Sequence, residues 1–261
     1  MDAVLSTPLA DHPRAETTNR RYRVRLAVGD ADLRAAQSLR FRVFNLELRE
    51  GLTQSWATGL DADAFDSSCD HLLVEDLVSG AVVGTYRLQT GSHALACGDY
   101  YSAREFDFRP FEALRGELVE LGRACVHAEH RNFAVLNLLW TAIAAYARER
   151  GTRWLIGCSS LSSQDAAVGA AVYAKLAPHL AAPALRTQPL PAFACPLDGP
   201  TMTAPELPRL LAAYLALGAE ICGPPAIDRE FRTIDFLTLV DLHSPTLRAL
   251  QRRGRFVGAR R

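Results

Sequence analysis

The residues best placed for chemistry lie between Glu117 and Ser160. The run Glu117-Leu-Val-Glu-Leu-Gly-Arg-Ala-Cys-Val-His127 carries apolar residues on both alternating faces, which is the pattern of a buried strand, and Glu120 sits inside it. Burial disfavours the charged form of a carboxyl group and lifts its pKa toward the working range of a general base, so Glu120 is a candidate base. Pairing with Arg123 or another arginine is the structural alternative. His71 and His127, at strand ends, are acid/base candidates, with a structural role as the ordinary alternative. A polar break at Glu129-His130-Arg131-Asn132 precedes the Ala/Leu-rich run Phe133–Arg150. That run reads as a helix stopped by Gly151. The unpaired amides of its first turn, at Arg131–Ala134, face whatever anion lies over the helix N-terminus.

The elements that position these residues follow from periodicity. Thr152–Cys158 is a second apolar strand, so strand, helix and strand form a βαβ unit with parallel strands. Upstream, residues 1–20 read as an unstructured tail. Tyr22, Val24 and Leu26 alternate with Arg21, Arg23 and Arg25 in a half-exposed strand. A helix follows, with Asp30 as N-cap and Leu33, Ala36, Leu39, Val43 and Leu46 at helical steps up to Gly51. Asp61, Asp63, Asp66 and Asp70 load the next loop with acid. Residues 71–76 and 81–88 read as two strands joined at Ser79-Gly80. Downstream come a helix over Gln164–Leu176 carrying Tyr173, an extended strand around Ala184–Pro189, a helix over Glu206–Gly218 and a last strand over Phe231–Leu242. No repeat and no linker interrupts residues 21–261, which read as a single domain.

The totals narrow the classes. In 261 residues, 29 Lys and Arg balance 29 Asp and Glu, which argues against nucleic acid as the main partner. Six cysteines stand without C-x-x-C spacing, so neither a zinc site nor a redox motif is indicated, and no metal is expected. The start lacks the basic and apolar regions of a signal peptide. Phe133–Ala147 is too short to span a bilayer and carries Asn137 and Thr141. A cytoplasmic protein fits these features. Arginines cluster at both ends (Arg20, Arg21, Arg23 and Arg25; Arg252, Arg253, Arg255, Arg260 and Arg261), where they suit an anionic membrane, an acidic protein, or plain solvent.

Six segments, in order, resemble one family. They are Arg40-Phe-Arg-Val-Phe44; Asp63-Ala-Phe-Asp66 with Cys69-Asp-His71; Val83–Leu88; Tyr101–Asp107; Glu120–His127; and Tyr214–Ala219 with Phe231–Asp235. The chain from about Arg21 to Leu242 resembles the bacterial ornithine N-acyltransferases of the GNAT superfamily, and shares a thinner subset with acyl-homoserine lactone synthases. The resemblance implies an α/β GNAT fold with a mixed, twisted central sheet flanked by helices. It implies transfer of a 3-hydroxyacyl group from acyl carrier protein to the α-amine of ornithine, with no cofactor beyond the carrier's phosphopantetheine arm. It also implies work against the inner membrane. Unlike the usual GNAT pyrophosphate loop, the turn Arg131-Asn-Phe-Ala-Val-Leu136 has no glycines, which disfavours acetyl-CoA more than a carrier-protein donor.

Under that resemblance, Glu120 is the base and Tyr173 protonates the departing thiolate, a packed core tyrosine being the alternative. Backbone amides near Val126 and His127, together with His130, Arg131, Asn132 and Phe133, hold the donor. Arg40, Arg87 and Arg123 suit the acceptor's carboxylate, since a guanidinium fork matches it. Asp63, Asp66 and Asp70 suit its ammonium, ordinary loop chemistry being the alternative. A signal synthase using S-adenosylmethionine, N-acylation of glycine or glutamine, and a non-catalytic carrier-binding protein stay open.

Overall fold

The computed structural model describes residues 17–199 and 202–252. Its strands are β1 (Thr17–Thr18), β2 (Tyr22–Leu26), β3 (Asp70–Asp76), β4 (Val82–Thr90), β5 (Leu118–Val126), β6 (Trp154–Leu161), β7 (Glu220–Ile221), β8 (Ala226–Asp228) and β9 (Thr233–Asp241). Its helices are α1 (Gly29–Phe41), α2 (Ser55–Thr58), α3 (Gly91–Cys97), α4 (Phe133–Glu149), α5 (Ala166–Lys175), α6 (Arg209–Ala216) and α7 (Pro245–Arg252). The strands form one nine-stranded sheet in the order β1-β2-β3-β4-β5-β6-β9-β7, with β8 also on β9. Only β5 and β6 are parallel; the other pairs are antiparallel.

Each face of the sheet is covered. On one, α4 sets Val135, Leu139 and Ile143 against Val24, Leu72, Val74 and Val119. On the other, the aromatic stretch supplies Tyr100, Phe106, Phe108 and Phe111 against Leu118, Ile156 and Leu237. The expected strand-helix-strand unit is present. Asn132 caps α4 by accepting from the Val135 amide at 3.1 Å, and Gly151 ends it at φ 64°.

Several local expectations change. The first helix passes into a π-helical segment over Arg42–Glu47, and Val28, not Asp30, is the residue before its first turn. The expected strand at Ala184–Pro189 is instead a 3-10 turn over Pro183–Leu185 and a single bridge from Pro189 to Phe106. Its prolines lack the amide a ladder needs. Residues 1–16 of the expected tail and Arg253, Arg255, Arg260 and Arg261 of the basic end lie outside the described residues; Thr17–Thr18 pair with β2. Among the described residues, no helix is long and apolar enough to cross a membrane.

The decisive feature is how briefly β5 and β6 stay together. Their pairing covers Leu118, Val119 and Glu120 against Trp154, Leu155 and Ile156, and both strands then run on without touching as a ladder. At the parting point a Cβ on Gly157 would overlap the Leu121 carbonyl oxygen. Only glycine permits that approach. Gly157→Ala is therefore expected to destabilise the protein by at least ~2 kcal/mol, the overpacking range, and to lower the thermal midpoint by roughly 5 °C. Differential scanning calorimetry checks this; an unchanged midpoint would show that the fork yields freely.

Candidate functional site

Beyond Glu120 the opened fork becomes a cavity of about 710 Å³, with Leu121, Leu136, Leu139, Tyr86 and Tyr214 among its apolar walls. Glu120 stands at the apex, where the ladder ends, and is 5% exposed. It does not pair with Arg123. Its Oε1 accepts from the Ser102 amide at 2.7 Å and the Ser102 hydroxyl at 2.6 Å, and its Oε2 from the Tyr101 amide at 2.8 Å. Burial pushes its pKa up, and the hydrogen bonds from Ser102 and Tyr101 only partly offset that. The β5 edge facing β6 has no strand partner from Leu121 to Val126, so main-chain groups border the cavity there. The splay thus begins at Leu121, ahead of the Val126 and His127 amides expected to hold the donor. The His127 amide is already taken by the Val83 carbonyl at 2.8 Å.

A β-bulge on β5 reorients the next functional side chain. Thr85 pairs with Cys125 and Arg87 with Gly122, so β5 carries one extra residue, and Arg123 adopts φ 48° there. Its guanidinium reaches the acidic loop: Asp63 at 2.8 Å and Asp61 at 3.4 Å. Arg87 holds Asp63 at 2.6 Å and Asp66 at 3.0 Å. Arg40, with no exposed surface, holds Asp61 at 2.9 Å and also grips Asp66. Three guanidinium groups and three carboxylates thereby cancel. Although burial alone would raise them, the charges of Arg87 and Arg123 hold Asp63, and those of Arg40 and Arg87 hold Asp66, below the usual carboxylate range.

This network corrects the acceptor reading. Arg40 is sealed away from the cavity, and Asp63 and Asp66 are spent on arginines rather than facing an incoming ammonium. Asp70 is elsewhere, accepting from Tyr146 at 2.7 Å and Arg150 at 3.1 Å. Of the residues expected to bind the acceptor, Arg87 and Arg123 border the cavity. Asp61, to which the sequence lent no role, completes the network.

Of the residues expected at the donor end, Val126, Arg131, Asn132 and Phe133 line the cavity. His127 and His130 do not. His130 instead meets the Tyr22 hydroxyl at 3.1 Å, and the Asn132 side chain is occupied in capping its own helix. Arg131 makes a bidentate pair with Glu47 at 2.5 and 2.7 Å. Arg209, at the start of α6, adds a cation at the rim that forms no ion pair among the described residues, and Leu48 and Phe133 are exposed there. Tyr173 is half-buried on α5, packed with Val172, Leu176 and Phe236, and does not reach the cavity.

An acidic wall escaped the sequence reading. Glu50, Asp228 and Asp235 line the cavity with Glu120, and Glu105 lies just behind. None of the five forms an ion pair among the described residues. Carboxylate oxygens of Glu105 and Asp235 and the Cys158 sulfur lie within 4.8 Å of one another, a trio of metal-ligand type, as are the half-buried His127 and His130 with exposed Glu129. Burial, then the charges of Asp235 and Asp228, push Glu105 up to about 10, and burial lifts Asp235 as well. The pair thus shares a proton at neutral pH. Asp235 was findable by the signal that singled out Glu120, a lone carboxylate in an apolar strand. Glu105 was not, because its burial comes from tertiary contacts.

Residues 39–141 match the acetyltransferase (GNAT) domain. The chain is 34% identical over 232 residues to the L-ornithine N(alpha)-acyltransferase of Rhodobacter capsulatus, covering 84% of this chain and 90% of that protein. It is 34% identical to the enzyme of the same name from Agrobacterium fabrum, covering 84% of this chain and 80% of that one. Among solved structures, the AHL synthase LasI superposes with TM-score 0.53 at 14% identity, over 91% of this chain and 95% of that one, a likeness of fold.

Two expectations follow from the charges. Arg40→Met leaves the three buried carboxylates Asp61, Asp63 and Asp66 with only Arg87 and Arg123 to balance them, and is expected to cost about 3–5 kcal/mol in chemical denaturation, against near zero if the network is dispensable. Glu105 has a raised folded pKa, so its protonated form is free of penalty below the unfolded value near ~4.3, and its cost grows as pH rises toward about 10. The advantage of Glu105→Gln over wild type in thermal midpoint should therefore widen steadily from pH 5 to pH 9. A pH-independent difference would refute the buried proton.

Proposed function

The chain belongs to the L-ornithine N(alpha)-acyltransferases, and from that membership we propose that it moves a 3-hydroxyacyl group from acyl carrier protein to the α-amine of ornithine. It is an acyltransferase built on a GNAT domain. The observation that carries the reading is Glu120, a buried carboxylate fixed by three donors at the closed end of a largely apolar cavity.

The cavity suits acyl transfer in three ways. Its walls at Leu121, Leu136 and Leu139 accept an acyl chain, and excluding water there protects the thioester from hydrolysis. The free β5 edge offers main-chain donors to the thioester oxygen as it gains charge. Glu120 faces the acceptor amine, which must lose a proton to attack. The new C–N bond forms as the C–S bond breaks. The amine proton passes to Glu120 and from there to the departing thiolate, a route that does not require Tyr173. Arg131 and Arg209 at the rim match the phosphate on the carrier's pantetheine arm. The exposed Leu48 and Phe133 beside them suit a peripheral contact with the membrane that takes the amphiphilic product.

Lipid mass spectrometry of a bacterial host that makes no aminolipids, with and without this protein, tests the assignment. A new 3-hydroxyacyl-ornithine is expected, and no new acyl amide would sink it. With purified protein, Glu120→Gln is expected to lower kcat/KM by roughly 10²–10⁴-fold. Wild-type kcat/KM should rise with pH through a group titrating above the ordinary carboxylate range, and that limb should vanish in the variant.

A further inference from the structure

Charge is distributed unevenly around the cavity. The Arg40, Arg87 and Arg123 side is neutralised by Asp61, Asp63 and Asp66, whereas Glu105, Asp228 and Asp235 face one another with no ion-paired cation among the described residues. Burying carboxyl groups together is costly unless a cation joins them. One unsatisfied group marks where that cation fits. Asp235, 3% exposed, lines the cavity and its Oδ1 has no hydrogen bond.

The wall is continuous with the proposed base. The Ser102 hydroxyl, 2.6 Å from Glu120, is 3.5 Å from the Cys158 sulfur, which lies 4.0 Å from Glu105. A diamine acceptor with one nitrogen at Glu120 therefore has a second anionic anchor farther along the same wall. Asp228 is held in place by accepting from the Glu230 and Phe231 amides, each at 2.8 Å, so the anchor is rigid.

We propose that Glu105, Asp228 and Asp235 form the subsite for the acceptor's side-chain ammonium and select basic amino acids over neutral ones. This rests on the ornithine reading above. An ammonium brings three donors to a wall of acceptors, including the open Asp235 oxygen. A metal ion on Glu105, Cys158 and Asp235 is the competing occupant.

The test compares ornithine with norvaline, which has the same carbon chain without the δ-amine, using purified full-length protein and a 3-hydroxyacyl carrier-protein thioester. Wild type should favour ornithine at least 100-fold in kcat/KM. In Asp235→Asn and Glu105→Gln that ratio should fall at least tenfold. Wild type that acylates both amino acids equally well would overturn the subsite while leaving acyl transfer intact, and this arm needs no variant to fold. Proportional losses on both substrates in the variants would assign the wall a structural role instead. Stoichiometric zinc in the purified protein that disappears in Asp235→Asn would give the trio to a metal and also overturn the proposal. Absence of acyl amide from every amino acid tried would instead remove the function on which the proposal stands.

Discussion

The parting of β5 and β6 after Glu120 is the constraint on which the rest of the molecule depends. Two parallel strands normally stay paired along their shared length, and a sheet that opens leaves main-chain groups without partners. Here the cost is confined to a short interval. The Leu121 carbonyl passes close over Gly157 as the strands diverge, α6 closes the far side with Tyr214, and α4 supplies the apolar floor. The opening creates a cavity in what would otherwise be the middle of a solid sheet. It also sets a carboxylate where the ladder ends, accessible from the cavity yet shut off from bulk water.

Electrostatics around that cavity divide into a settled half and an unsettled half. The bulge at Arg123 swings a guanidinium out of the ladder to join Arg40 and Arg87 on the acidic loop, fixing the loop between Leu60 and Cys69 against the sheet. The aromatic rings of Phe231 and Tyr101 lie 4.4 and 5.0 Å from the Arg123 guanidinium and complete its enclosure. With opposite charges matched, that half behaves as structure. The opposite wall gathers Glu50, Glu105, Asp228 and Asp235 with no ion-paired cation among the described residues, and burial favours the protonated forms of Glu50, Glu105 and Asp235. Rigid neutrality on one side and unbalanced acid on the other give the cavity a direction along which a charged substrate aligns.

The sequence alone identified the strand that carries Glu120, the helix after it and the parallel strand beyond, because these are long apolar segments whose period is local information. Glu120 itself was visible for the same reason: a carboxylate is conspicuous in an apolar run. The resemblance to N-acyltransferases was legible as ordered short segments, and the family relationship agrees with it. The resemblance also suggested the arginines and aspartates as a set. It gave no means of telling whether they face a substrate or one another.

That choice belonged to the tertiary structure. Pairing of Arg40 with Asp61 joins residues on a helix and a distant loop, and the bulge that brings in Arg123 depends on register against β4, which no local pattern encodes. The same holds for the acidic wall, assembled from the aromatic stretch, β8 and β9, and for Tyr173, whose helix packs its ring away from the cavity. Periodicity determines which segments are strands and helices because it reports the burial of neighbours along the chain. Which charges cancel and which remain open is decided only when segments far apart in sequence share a low-dielectric space, where a few ångströms separate an ion pair from a binding site.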